Sequence, residues 1–315
     1  MSASAIKRQT KLRRVLLAFA LAALPLFETL AGGLTLTLGD SQIRQEIFSL
    51  FAAPGESLSL GFDYYATGRP HIRFEGQEVK PPDDGTWRFN APQKPGLYSV
   101  ELRYPAAGET TQLNLFVGTV LAPGGVSLEG YRIGRPPAGH SNYPALYRSP
   151  RLYIRVTRDM LTLPVSDHFS LGQFVCKQAS GFPKYLALSE ELLVLLEGLV
   201  TAVQLAGYPA ETFGIISGYR TPYYNQLIGN VAASRHVYGD ALDFYVDING
   251  DGVMDDLDGD GDTTYRDVDL LYSIVENYRE QAEYKGPRGG IGRYYRTDRH
   301  SGFVHVDTRG YKARW

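Results

Sequence analysis

A single cysteine, Cys176, stands in a chain of 315 residues. That excludes an intramolecular disulfide framework and any zinc site of the CxxC…CxxC kind. A metal in this chain must be held by histidines and carboxylates. Stability must come from buried apolar surface, and the composition, 43% apolar and 21% charged, supplies enough for about two domains. It argues against a disordered, collagen-like or multi-pass membrane chain. Cys176 itself is expected as a small buried apolar filler. The formal net charge of −2 gives no global positive field, so no nucleic-acid partner is expected.

Lys7, Arg8, Lys11, Arg13 and Arg14 precede the uncharged run Val15 to Phe27. A spanning helix needs about 20 apolar residues, and this run is shorter. With the small residues Ala31, Gly32 and Gly33 it reads as a secretory signal over residues 1–31. The alternative is an uncleaved anchor, which is the one route to membrane contact. Either way the body is expected to be exported, to a periplasm or to the cell wall and extracellular space. Without that leader the chain carries 27 basic and 33 acidic residues.

The expected fold class is α+β, in two parts. Residues 40–120 read as all-β, with short strands at Ser57–Phe62, His71–Phe74, Thr86–Phe89, Leu97–Tyr104 and Gln112–Val117. Turn residues such as Pro81–Gly85 and Pro95-Gly96 separate them. The stretch around Trp87, Pro95-Gly-Leu-Tyr98 and Leu113–Val117 resembles bacterial immunoglobulin-like modules, which implies a small sandwich. This part is expected to contact the cell wall or a protein partner. Residues 121–150, rich in Gly, Pro and Tyr, read as an extended connector. Residues 151–315 read as a small antiparallel sheet with flanking helices. Ser189 caps a helix whose apolar face is Leu192, Leu193, Leu196, Leu199, Val200 and Val203, and Gly207 stops it. Thr221-Pro222 opens a second helix, and Val268–Tyr278 forms a third.

The chemistry concentrates in two strands. In Leu242–Val246, Asp243 faces away from Leu242, Phe244 and Val246. In Phe303–Asp307, His305 and Asp307 face away from Val304 and Val306. Two such strands present Asp243 and His305 to one cleft, with His236 arriving from a turn that contains Gly239. Two imidazoles and one carboxylate suit Zn²⁺ with a position left for water.

Ser234, His236, Gly239, Ala241 and Asp243 fill the pattern Ser-x-His-x-x-Gly-x-Ala-x-Asp. Ser217-Gly-Tyr-Arg220 and His168–Cys176 lie upstream; Gly290–Tyr294, Gly302–Asp307 and Arg314-Trp315 follow. In this order the motifs resemble the zinc D-Ala-D-Ala carboxypeptidase family, which shares its fold with D,D-dipeptidases and hedgehog-type domains. The resemblance covers roughly residues 151–315. It implies that His236, Asp243 and His305 ligate zinc. It also implies that Arg220 neutralises a substrate carboxylate or a developing oxyanion, and that Ser234 orients the ligands. The family's general base has no direct counterpart. Gly302 stands where dipeptidase-like members carry Glu or Asp, and Phe303 stands where others carry His. His300 occupies the position some endopeptidases use and is the first candidate. Asp307, which would otherwise orient His305, is the second, and Asp298 the third.

Between the ligands lies an acidic insert, residues 247–267. Asp247, Asn249, Asp251, Asp255 and Asp258 fit the oxygen positions of a calcium loop around Gly252. Asp256, Asp258, Asp260, Asp262 and Asp267 repeat the pattern around Gly261, with Asp267 also expected as a helix N-cap. A structural Ca²⁺ is expected there. The resemblance implies an exported zinc metallopeptidase acting on peptidoglycan stem peptides, first as a D-alanyl-D-alanine carboxypeptidase. The alternatives are an L,D-carboxypeptidase or murein endopeptidase, and a non-catalytic zinc-containing wall-binding protein.

Overall fold

The computed structural model describes residues 35–38, 41–63, 70–79, 86–104, 108–135, 137, 143–281 and 284–315. The leader read over residues 1–31, His140 and the turn Pro81–Gly85 lie outside the described residues. No helix among the described residues is long and apolar enough to cross a membrane. The architecture is mixed α+β.

The first nine strands are β1 (Thr35–Leu38), β2 (Ser41–Ile43), β3 (Ile47–Ala52), β4 (Ser57–Asp63), β5 (His71–Phe74), β6 (Gln77–Val79), β7 (Trp87–Asn90), β8 (Gly96–Tyr104) and β9 (Glu109–Val117). They form a four-stranded sheet, β2-β1-β4-β7, and a five-stranded sheet, β3-β9-β8-β5-β6. Alternation decides what points inward. On β8, Val100 and Leu102 are fully buried while Ser99 and Arg103 are exposed. Phe74 and Phe89 bring the two sheets together, with ring centroids 5.6 Å apart. Strand β3 has no alternation to read. Five of its six residues are buried, because α1 (Glu190–Leu205) packs on it.

Residues 121–150 do more than connect. β10 (Ser127–Leu128) and β11 (Tyr131–Arg132) form a hairpin, and Tyr131 and Ile133 are buried. The Ile133 carbonyl accepts the Tyr223 N–H at 2.9 Å, which ties this segment to the residues that follow.

The C-terminal part adds β12 (Ile154–Val156) paired with β13 (Lys184–Leu186), then α1, β14 (Gly214–Ser217), α2 (Pro222–Leu227), β15 (Ala241–Tyr245), α3 (Tyr265–Glu280), β16 (Gly290–Tyr294), β17 (Phe303–Asp307) and β18 (Ala313–Arg314). The site sheet runs β14-β15-β17-β16-β18. It is not wholly antiparallel as expected. β15 already occupies the free side of β17, so the returning chain lies parallel to β16 on the outer edge.

Helix α1 begins where Ser189 accepts the Leu192 N–H, as its cap chemistry predicts. Its expected apolar face is buried, and so are Leu195 and Glu197. The reason is that α1 touches β2 and β3 on one side and α3 on the other. One continuous core therefore runs from Ile43 and Phe48 to Val304 and Val306. Polar bonds stitch the same seam. Asp167 accepts the Glu46 and Ile47 N–H groups at 3.2 and 2.7 Å, and Glu190 accepts the Phe51 N–H at 2.8 Å. Arg151 bridges Glu56 and the Phe51 carbonyl.

Burial at this seam raises the Glu190 pKa from 4.5 to about 7. A carboxyl whose folded pKa is raised binds more protons folded than unfolded, so stability falls as pH rises through this window. Glu190→Gln removes that slope. Its melts are expected to gain about 1–3 kcal/mol over the unaltered protein between pH 4.5 and 7.5, with little difference below pH 4.5.

Candidate metal centre

β15 and β17 are antiparallel with Asp243 directly opposite His305, Leu242 opposite Val306 and Phe244 opposite Val304. Directly paired residues share a face, so the apolar partners enter the core and Asp243 and His305 enter the cleft. His236 arrives from the 3₁₀ turn Arg235–Tyr238. Gly239 ends that turn at φ 77°, and a Cβ there would lie 2.5 Å from the Ala187 carbonyl carbon. Only glycine meets both demands.

The tautomers follow from the outer partners. His236 Nδ1 lies 2.7 Å from the Gly218 carbonyl oxygen and must donate to it. Its Nε2 lone pair then faces Asp243 Oδ1 at 3.1 Å. His305 is turned the other way. Its Nε2 donates to Asp307 Oδ2 at 3.0 Å, and its Nδ1 faces the same Asp243 oxygen at 2.7 Å. All three residues are buried, and their ligand atoms lie within 4.8 Å of one another. Two imidazole lone pairs and a carboxylate repel at this separation unless a proton or a cation lies among them. Burial opposes charge on His305, but its hydrogen bonds to Asp243 and Asp307 push it up to about 9. Burial holds His236 below the usual histidine range. Burial would also raise Asp243, yet the two imidazoles hold it well below the usual carboxylate range. The donor set fits zinc through His236 Nε2, His305 Nδ1 and an Asp243 oxygen.

Around this trio lies a ring of buried polar support. Arg220 donates from Nη2 to Asp243 Oδ2 at 2.6 Å and from Nε to Ser217 Oγ at 2.7 Å. It therefore holds Asp243, where the sequence predicts that it meets substrate. Arg309 donates from Nε to both Asp307 oxygens at 2.8 and 2.9 Å. Burial would raise Asp307, but His305 and Arg309 keep it well below the usual carboxylate range. Fully buried and ionised, Asp307 orients His305; it is not placed as a base. Ser234 lines the cleft but makes no cap bond to its turn.

The cleft is a cavity of about 380 Å³. Val231 and Ala233 line one part, Tyr294, Phe303 and Trp315 another. The Trp315 indole lies 5.3 Å from the His305 ring and donates to the Tyr294 hydroxyl at 2.7 Å. His300 is not among the lining residues. Its Nδ1 lies 2.8 Å from the Ser301 carbonyl oxygen, and its ring stands edge-on to Phe303 at 5.0 Å. Asp298 is exposed on the same turn. Gly302, where the resemblance leads one to expect a carboxylate, is pressed against α3, so a Cβ there would collide with Val268. Among the described lining residues no carboxylate or imidazole joins the trio. Arg309 escapes sequence reasoning, because an arginine just beyond a strand reads as solvated.

The acidic insert separates into roles. Asp247 accepts the Asp251 and Gly252 N–H groups, Asn249 accepts that of Asp251, Asp251 that of Val253 and Asp255 that of Ile248. These are turn-forming bonds. The carboxylates of Asp256, Asp258 and Asp260 come within 4.8 Å of one another; Asp262 and Asp267 do not join that group. Asp267 is neither a twelfth-position oxygen nor an N-cap. Thr264 is the cap, and Asp267, fully buried, accepts the Thr264, Leu257 and Asp258 N–H groups. Cys176 is buried and free, as its lone occurrence predicts.

The geometry gathers two imidazoles and one carboxylate, a donor set that could hold a metal ion. Residues 179–253, in the C-terminal half, match the family model Peptidase M15. The match includes His236 and Asp243, and strand register adds His305. A search of the curated proteins finds no match.

Removing the carboxylate behind His305 tests the outer ring. Asp307→Asn is expected to weaken zinc affinity about 10- to 100-fold, measured by competition with a chelator.

Proposed function

We propose that the protein is an exported zinc metallopeptidase that hydrolyses amide bonds of peptidoglycan stem peptides. The observation that carries this reading is the convergence of His236 Nε2, His305 Nδ1 and Asp243 in one cleft, within a chain segment of M15 type. A zinc ion held there supplies carbonyl polarisation and activation of water. The chain's own residues do the rest. Gly218 and Asp307 fix the two imidazole tautomers. Arg220, held by Asp243 and Ser217, keeps a positive charge beside the cleft that favours an anionic intermediate there. Trp315, Phe303 and Tyr294 give one wall of the cleft an aromatic face. D-Alanyl-D-alanine carboxypeptidase is the first activity to assay; L,D-carboxypeptidase and murein endopeptidase follow.

The N-terminal sheets, as an immunoglobulin-like module, would hold the enzyme against the wall or a protein partner. The insert's calcium-loop spacing supports a structural Ca²⁺ at Asp256, Asp258 and Asp260, tested by calorimetric titration with Ca²⁺. A second reading is a non-catalytic, zinc-containing wall-binding protein. The absence of a further carboxylate or imidazole among the described lining residues favours it.

Incubating the zinc-loaded protein with purified peptidoglycan separates the two readings. Mass spectrometry is expected to show muropeptides shortened or uncoupled at an amide bond. His236→Ala and His305→Ala are expected to abolish the products. Intact muropeptides with retained binding would establish the second reading.

A further inference from the structure

We propose that a groove beside the metal centre, lined by Lys177, Val175, Ile215 and Gly218, takes a carboxylate of the peptide ligand through the Lys177 ammonium. The proposal rests on the peptide-ligand reading above.

The cleft's arginines are already engaged. Arg220 holds Asp243 and Ser217, Arg309 holds Asp307, and Arg235 is paired with Asp240. Lys177 differs. It reaches solvent and makes no hydrogen bond or ion pair among the described residues. The groove it lines has a volume of about 430 Å³. Its other polar side chains are satisfied internally. Gln173 accepts the Ser170 N–H at 2.8 Å and donates to Thr212 Oγ1 at 3.0 Å, and Ser170 closes the capping box with Gln173. That leaves the ammonium as the side-chain donor offered to a ligand.

Two links place this groove next to the chemistry. Gly218 lines it, and the Gly218 carbonyl holds His236 Nδ1. Lys177 also lies in the field of the cleft. Burial of its stem and the Arg220 cation lower its pKa from the usual lysine range, and Asp243 opposes them. An arriving carboxylate offsets the Arg220 repulsion. Val175 and Ile215, both half-buried, give the groove aliphatic walls. The chemistry fits a short aliphatic residue that ends in a carboxylate.

The test uses the zinc-loaded full chain and two probes, diacetyl-L-Lys-D-Ala-D-Ala and its C-terminal amide. Binding is measured by calorimetry and hydrolysis is followed in parallel. A charge-assisted bond of this kind predicts that the acid binds about tenfold or more tighter than the amide. Lys177→Gln is expected to erase that preference and Lys177→Arg to keep most of it. Acid and amide binding equally, the acid failing to bind, or Lys177→Gln retaining the preference would each overturn the proposal. A preference lost in Lys177→Gln without hydrolysis by any form leaves the groove established and the peptidase reading overturned.

Discussion

Everything in the C-terminal half leans on one register. Asp243 and His305 are opposite one another on β15 and β17, and the carboxylate lies between two imidazoles. Slipping β15 by one residue would send Asp243 into the core and bring Leu242 out, and slipping β17 would do the same to His305 and Val306. Burial of Leu242, Phe244, Val304 and Val306 at no measurable exposure is therefore what aims the centre. The apolar face and the polar face of these strands are one constraint seen from two sides.

The outer ring converts that aim into chemistry. Gly218 and Asp307 hold the two histidines in opposite tautomers, so that both lone pairs meet at Asp243. Arg220 and Arg309 balance the two buried carboxylates. Arg279 reaches from α3 to the carbonyls of Gly290 and Asp307 and locks β16 to β17 from behind. Each ligand is thus over-determined, which limits the relaxation available when any one partner is removed.

The sequence made much of this visible, and the reasons are physical. The opposite facing of Val304 and Val306 against His305, and the cap at Ser189, are local patterns, and the structure keeps both even though every residue of Phe303–Asp307 is buried. The period-2 signal vanished where a strand is covered on both faces, as in Ile47–Ala52. The roles of charged side chains were harder to read. Arg220, Asp307 and Asp267 have the chemistry of substrate contact, base and cation ligand. Each is instead held by neighbours that spacing alone does not reveal. His300 was hard to place for a similar reason, since nothing in Asp298–Gly302 says that its ring packs edge-on against Phe303 and does not line the cleft.

The two halves of the centre are 62 residues apart in the chain. Between them come the acidic insert, α3 and β16, and Trp315 closes over His305 only at position 315. A growing or threaded chain therefore owns His236 and Asp243 long before it owns a binding site. The three donors can thus come together only late in assembly, once β17 has taken its place beside β15.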